Sequence, residues 1–288
     1  MISDSLITET TIELLKLAVT RLPQDVIDAL KRGYENEDSD VAKMQLLAIL
    51  DNIDLAKKTN KPMCQDTGIH IFYVKLGKNQ SRDISEAIRK GVSEATKIIP
   101  LRPNVVDSLT RENPKTNLGE GLPYINYKVT DDEFIEICVF PKGAGSENMS
   151  ALLMLPPSKG IKGIKEFALN TIVSAGGKPC PPTIMGMGIG GSADISMKLA
   201  KEALLRPINV RNSDPTIASL EEELLEALNE TGIGPMGMGG KTTLLGVQIE
   251  KAFCHTASLP VAINIQCWAA RKASARIYPD GKVEYLTP

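Results

Sequence analysis

Apolar positions in the first sixty residues recur at helical spacing. Ile12, Leu15 and Val19 share one face, as an amphipathic helix requires. Pro23 suits the first turn of a second helix. A third, long helix is predicted over residues 39–58, carrying Val41, Met44, Leu47 and Leu50 on one side. The pattern then changes: residues 69–76 read as a strand and residues 84–99 as a further helix. Apolar runs at residues 124–129 and 134–140 predict a hairpin joined across Thr130-Asp131-Asp132-Glu133.

Farther along, a helix over residues 161–174 meets Ala175-Gly176-Gly177, which is good stop chemistry. Residues 215–230 form an acidic amphipathic helix whose run Glu221-Glu222-Glu223 reads as a solvated face. A closing hairpin is expected from residues 273–278 and 282–286 around Pro279-Asp280-Gly281. Helical and strand-like runs alternate irregularly. The expected class is α+β, with mixed, largely antiparallel sheets flanked by helices and a helical segment over residues 1–60. No repeat, low-complexity tract or domain linker interrupts the chain.

Two glycine-rich stretches invite a phosphate-binding reading. Residues 186–191, Gly-Met-Gly-Ile-Gly-Gly, formally match the dinucleotide fingerprint, and residues 192–204 could be its helix. The strand before it looks too short and follows Pro181-Pro182, and the nearest acid for a ribose contact, Asp214, sits in a turn-like segment. Gly234 to Thr242 resembles a P-loop but has Pro235 where the first glycine belongs, and a strand follows it instead of a helix. A nucleotide-binding protein using Gly186 to Gly191 is therefore the lesser alternative.

Composition narrows the classes further. The chain has 288 residues, 42% of them hydrophobic, enough for a sizeable core. Its net charge of -2 offers no basic surface for nucleic acid or anionic lipid. No apolar run approaches the ~18 residues of a membrane span, and no secretory signal pattern opens the sequence, so a cytoplasmic location is expected. Five cysteines, at 64, 138, 180, 254 and 267, are an odd number without a Cys-x-x-Cys pair. A disulfide framework is not expected.

The densest chemistry lies at residues 61–68, Lys-Pro-Met-Cys-Gln-Asp-Thr-Gly, where a thiol, an amide, a carboxylate and a hydroxyl follow one another. Bounded by Pro62 and Gly68 between a helix and a strand, this is a loop suited to mounting functional groups. Asp66 could act on a substrate hydroxyl or simply make a turn. Cys180, set in Lys178-Pro179-Cys180-Pro181-Pro182, must also belong to a stiff loop. Cys138, inside an apolar run, reads as core. Cys254-His255 looks like a nucleophile and base, but neighbours in sequence point apart. Residues 143–145, Gly-Ala-Gly, could offer backbone amides to a ligand or be a plain turn. Three loop thiols, Cys64, Cys180 and Cys267, with one position left open, suit an iron-sulfur cluster used as a Lewis acid. Their wide spacing carries no local signature.

Six motifs give that reading a family. In order they are Cys64-Gln65-Asp66-Thr67-Gly68, Leu101-Arg102, Lys142-Gly143-Ala144-Gly145-Ser146, Cys180-Pro181-Pro182, Gly239-Gly240-Lys241 and Cys267-x-Ala269-Ala270-Arg271. Over essentially its whole length the chain resembles the alpha subunit of class I, iron-sulfur fumarate hydratases and their L-tartrate dehydratase relatives. The resemblance implies a 4Fe-4S cluster on Cys64, Cys180 and Cys267, with its fourth iron open to a hydroxydicarboxylate. It also implies that Gln65, Asp66 and Arg102 contact substrate, that Gly143 or Gly145 gives a carboxylate its amide, and that His255 lies near the active site. Residues 1–288 are accordingly read as one alpha-type catalytic domain.

Reversible dehydration of a 2-hydroxy diacid needs an acid for the departing hydroxide, a base for the neighbouring carbon, and cations or amides for two carboxylates. Arg102 can clamp one carboxylate in bidentate fashion. In single-chain members a second region carries further substrate arginines, a lysine and the proposed base, and the present sequence has no counterpart. The expectation is therefore a beta subunit as partner, with association of alpha-beta pairs and no turnover by this chain alone. Fumarate hydration leads, tartrate dehydration is the alternative, and a cluster-bearing scaffold or sensor is the reading from another class. Neither nucleic acid nor membrane is an expected partner.

Overall fold

The computed structural model describes residues 2–78 and 83–287. Its helices are α1 (Asp4–Thr20), α2 (Gln24–Asn36), α3 (Asp40–Thr59), α4 (Ser85–Ile98), α5 (Ala144–Glu147), α6 (Gly160–Ala175), α7 (Ala193–Ala203) and α8 (Pro215–Asn229). Its strands are β1 (Ile69–Leu76), β2 (Tyr124–Val129), β3 (Ile135–Lys142), β4 (Ala151–Leu155), β5 (Thr183–Gly191), β6 (Leu244–Cys254), β7 (Leu259–Gln266), β8 (Ala273–Ile277) and β9 (Val283–Thr287). The expected α+β class with mixed sheets and a helical N-terminal segment is what the chain adopts. Two compact units share it: Met1–Pro23, Asn52–Gly143 and Arg271–Pro288 form the first, Gln24–Asp51 and Ala144–Ala270 the second.

In the first unit the sheet order is β2-β1-β3-β8-β9. Ser3 caps α1 by accepting from the Leu6 amide, satisfying a donor that the first turn leaves open. Leu14 and Leu15 of α1 and Ile88 and Val92 of α4 are fully buried with Phe72, Ile137, Val139 and Ala275 of the sheet in one apolar core. Gly91 is what lets the two helices meet, because a Cβ there would stand 2.7 Å from Thr11 Cβ. The closing hairpin is present, β8 pairing antiparallel with β9.

The hairpin expected from residues 124–140 does not form. β2 runs parallel to β1 and β3 runs antiparallel to it, so β1 lies between them. The turn residues are there, but α4 carries the chain across the sheet from β1 and obliges β2 to pair in parallel, as a crossover connection does. The second unit repeats this arrangement. Its sheet order is β4-β7-β5-β6, with β6 parallel and β7 antiparallel to the central β5, and α7 and α8 making the crossover.

Two further expectations are corrected in detail, and the lesser, glycine-rich alternative is decided. On α3 the apolar spacing holds, but Val41, Met44 and Leu47 are exposed, while Ala42, Leu46, Ile49 and Ile53 are buried. The acidic run on α8 is only partly solvated, since Glu221 is fully buried against Arg206 and accepts from the Ile249 amide at 2.8 Å. Finally, the glycine run is no loop, because residues 183–191 are all strand β5. A Cβ on Gly186 would lie 2.1 Å from Ala200 O, and one on Gly188 would lie 2.0 Å from Ser196 O. These glycines let α7 lie directly on the strand, and a phosphate-binding turn is not formed there.

Candidate active site

In the first unit the site is assembled on the approach to β1. Met63 anchors the loop: its amide donates to Val19 O at 3.0 Å, its carbonyl accepts from Asn52 Nδ2 at 2.7 Å, and its side chain is buried. The next residues emerge, with Cys64 half-buried and Gln65 exposed. Asp66 then turns the chain back, Oδ1 accepting from the Gly68 amide at 2.9 Å, the local bond that favours Asp in turns. Gly68 has φ +80°, and a Cβ there would sit 2.7 Å from the Lys142 nitrogen, so only glycine fits.

A second segment, residues 101–104, is stitched to that loop. Thr67 Oγ1 accepts from the Arg102 amide at 3.0 Å and donates to the Arg102 carbonyl at 3.2 Å. Asn104 Nδ2 donates to Asp66 Oδ1 at 3.3 Å and to Gly68 O at 3.2 Å. Asn117 closes the arrangement, donating to Arg102 O at 3.2 Å and accepting from the Asn104 amide at 2.8 Å. The Arg102 backbone is thus fixed while its side chain is exposed. The end of β3 brings Gly143 to the same place, where an added Cβ would lie 3.1 Å from Asp66 Oδ2. Four expected substrate residues, Gln65, Asp66, Arg102 and Gly143, therefore gather in one unit.

Two buried residues absent from the expected set join them. Arg271, 1% exposed, donates from Nη1 to the Asp66 carbonyl at 2.5 Å. His70, also 1% exposed, has no hydrogen-bond partner on either ring nitrogen among the described residues. Burial, and secondarily the charge of Arg271, push its imidazole down to about 4, so it is neutral near pH 7. Arg271 stood in a quoted motif, and its only sequence signal was that a cation follows Ala269-Ala270 in an apolar segment.

In the second unit Cys180 is held at φ +55° before a cis Pro181-Pro182 bond, its amide donating to Gly177 O at 3.1 Å. The Trp268 amide donates to the Cys180 carbonyl at 3.3 Å, which sets the Cys267 loop against the Cys180 loop. Gly145, exposed in α5, belongs to the same end, with its Cβ position 3.3 Å from Lys178 O. His255 does not. It is exposed between β6 and β7, accepting at Nδ1 from the Ala257 amide. The eight residues of β7 separate it from Cys267, a span of about 26 Å. Within its unit, β7 thus carries His255 and Cys267 to opposite ends.

The thiols sort by environment. Cys138 is half-buried within strand β3 and not on a loop, and there burial chiefly raises its value to about 11, with Lys272 opposing, so it stays protonated near neutral pH. Cys254 is exposed and donates to Ser258 O. Cys64, Cys180 and Cys267 form no disulfide, are half-buried and are mounted on loops, the setting in which thiolates can ligate iron. One comes from the first unit and two from the second, and within neither unit do three His, Cys, Asp or Glu side chains gather among the described residues. The donor set fits a cluster with three protein ligands.

Sequence comparison gives these residues a family of hydro-lyases. The profile of the family described as "Fumarate hydratase (Fumerase)" matches residues 8–276, and the chain belongs to that family. Among curated relatives, "Putative L(+)-tartrate dehydratase subunit alpha" of Methanocaldococcus jannaschii is 55% identical over 283 residues, 96% of this chain and 99% of that one. The "L(+)-tartrate dehydratase subunit alpha" of Escherichia coli (strain K12) is 34% identical over 284 residues, covering 98% and 94% respectively.

Proposed function

We propose that this chain is the alpha subunit of a two-subunit 4Fe-4S hydro-lyase that interconverts fumarate and L-malate in the cytoplasm. Residues 1–288 act as its alpha-type catalytic domain. The observation that carries the reading is the loop over residues 64–68, where a half-buried thiol, an exposed amide and a carboxylate are fixed beside Arg102 and Gly143.

Cys64, Cys180 and Cys267 hold the cluster, which supplies Lewis acidity toward the substrate hydroxyl. Around it the protein binds and orients the substrate. Arg102 takes one carboxylate through its guanidinium, and the amide at Gly143 or at Gly145 receives the other. Gln65 donates to the diacid from the rim. Asp66, positioned through Gly68 and Asn104, holds the proton of the hydroxyl as it leaves or arrives. The base for the neighbouring carbon comes from the beta subunit, the partner implied by relatives named as alpha subunits. His255, exposed between β6 and β7, is the second candidate for proton transfer on this chain.

A second reading, dehydration of L(+)-tartrate, is favoured by the names of those same relatives. It keeps every role above and changes only the hydroxyl count of the substrate. The test is anaerobic reconstitution of cluster and beta partner, followed by assay with fumarate, L-malate and tartrate. Fumarate hydration at the higher kcat/KM supports the first reading, preference for tartrate selects the second, and no activity on any of the three refutes both.

A further inference from the structure

We infer that Arg271 is a positioning residue for this reaction, its guanidinium holding the Asp66 loop in the geometry that presents Asp66 to substrate. The inference rests on the hydro-lyase reading above and adds a residue to it. Arg271 is among the largest fully buried side chains of the chain. A buried guanidinium is costly unless its donors are used. One use is plain: Nη1 donates to the Asp66 carbonyl at 2.5 Å, across 205 residues of sequence. That bond fixes the peptide between Asp66 and Thr67, on which the direction of the Asp66 side chain depends.

The second nitrogen points to the same place. A Cβ added to Gly143 would lie 3.3 Å from Arg271 Nη2 and 3.1 Å from Asp66 Oδ2. The guanidinium and the carboxylate thus border one small space that the missing side chain of Gly143 leaves open. The other carboxylate oxygen, Asp66 Oδ1, accepts from the Gly68 amide and Asn104 Nδ2. A planar fork can engage the carbonyl with one nitrogen while the other borders that space; the single point charge of lysine cannot do both. His70, buried and within reach of the same charge, is neutral near pH 7 and adds no charge of its own beside the guanidinium.

The test compares wild type with Arg271→Lys, and with Arg271→Gln should the lysine variant misfold. The first readout is amide hydrogen exchange in the full chain, independent of any assay. Loss of the anchoring bond should raise exchange over residues 64–68 about tenfold or more, while β1 and β3 interior amides stay within about twofold. The second readout is a kinetic cycle with Asp66→Asn in the reconstituted alpha-beta enzyme with matched iron content. Arg271→Lys should lower kcat about 100-fold with KM changed less than about threefold, and should add little in the Asp66→Asn background. Unchanged exchange over 64–68, or losses that multiply across the cycle, would overturn the inference. If wild type turns over no hydroxydiacid, the functional reading fails, and the exchange measurement still decides whether Arg271 holds the loop.

Discussion

His70 shows how a single residue can be invisible in sequence and consequential in the fold. In the strand Ile69–Leu76 it passes for one more polar residue, yet it is buried and, among the described residues, without a hydrogen-bond partner on either ring nitrogen. Its folded value near 4 lies below the ~6.5 of an unfolded histidine. Between those values the unfolded chain takes up a proton that the folded chain refuses. Stability from His70 is therefore complete above pH ~6.5 and declines as pH falls toward 4, by about 3 kcal/mol at most. Urea unfolding at pH 7 and pH 4.5 should show a smaller acid loss in His70→Phe than in wild type; equal losses would contradict a buried neutral imidazole. Cys64, Gln65 and Asp66 were readable because four reactive residue types in a row are rare in a core. Arg271 was not, because its depth depends on neighbours distant in sequence.

Among the elements, helices were readable almost to the residue: the helix expected at 84–99 is Ser85–Ile98, and that at 161–174 is Gly160–Ala175. Strand partners were not. Turn residues at 130–133 describe only a reversal of the chain, whereas the position of β1 between β2 and β3 is set by the α4 crossover and the core beneath it. The glycines of β5 gave the opposite difficulty, since composition fixes their flexibility but not whether a ligand or a helix comes close. Helix α7 is what comes close. Gly188→Ala should cost about 3 kcal/mol or more in thermal or chemical unfolding, because the new Cβ would meet Ser196 O. Gly232→Ala, with nothing within 4 Å of its Cβ position and φ +64°, should cost only about 1 kcal/mol. Similar losses would contradict the close strand-helix contact. Glu221→Ala removes the buried carboxylate that accepts from Arg206 and from the Asn212 and Ile249 amides, and should cost about 3 kcal/mol by urea unfolding even though Glu250 still faces Arg206.

For the molecule as a whole, each of the two units has its own sheet and apolar core, and the residues of the proposed chemistry are distributed between them. Gln65, Asp66, Arg102 and Gly143 come from one, and Gly145, Cys180 and Cys267 from the other. Such a division could not be read from cysteine spacing, and it was the resemblance of whole motifs that named the ligand set. The proton acceptor is expected on a partner chain, so purified alpha subunit with intact cluster should show no measurable turnover, and addition of the beta subunit should restore it. Full activity of the single chain would refute that dependence. The claim beneath all of these is that three particular thiols hold the cluster. Anaerobic iron and sulfide analysis tests it directly, comparing wild type with serine substituted singly at each of the five cysteines. The account predicts about four iron and four sulfide per chain in wild type, Cys138→Ser and Cys254→Ser, with loss in Cys64→Ser, Cys180→Ser and Cys267→Ser. Loss in Cys138→Ser or Cys254→Ser, with the other three retaining a full complement, would contradict it.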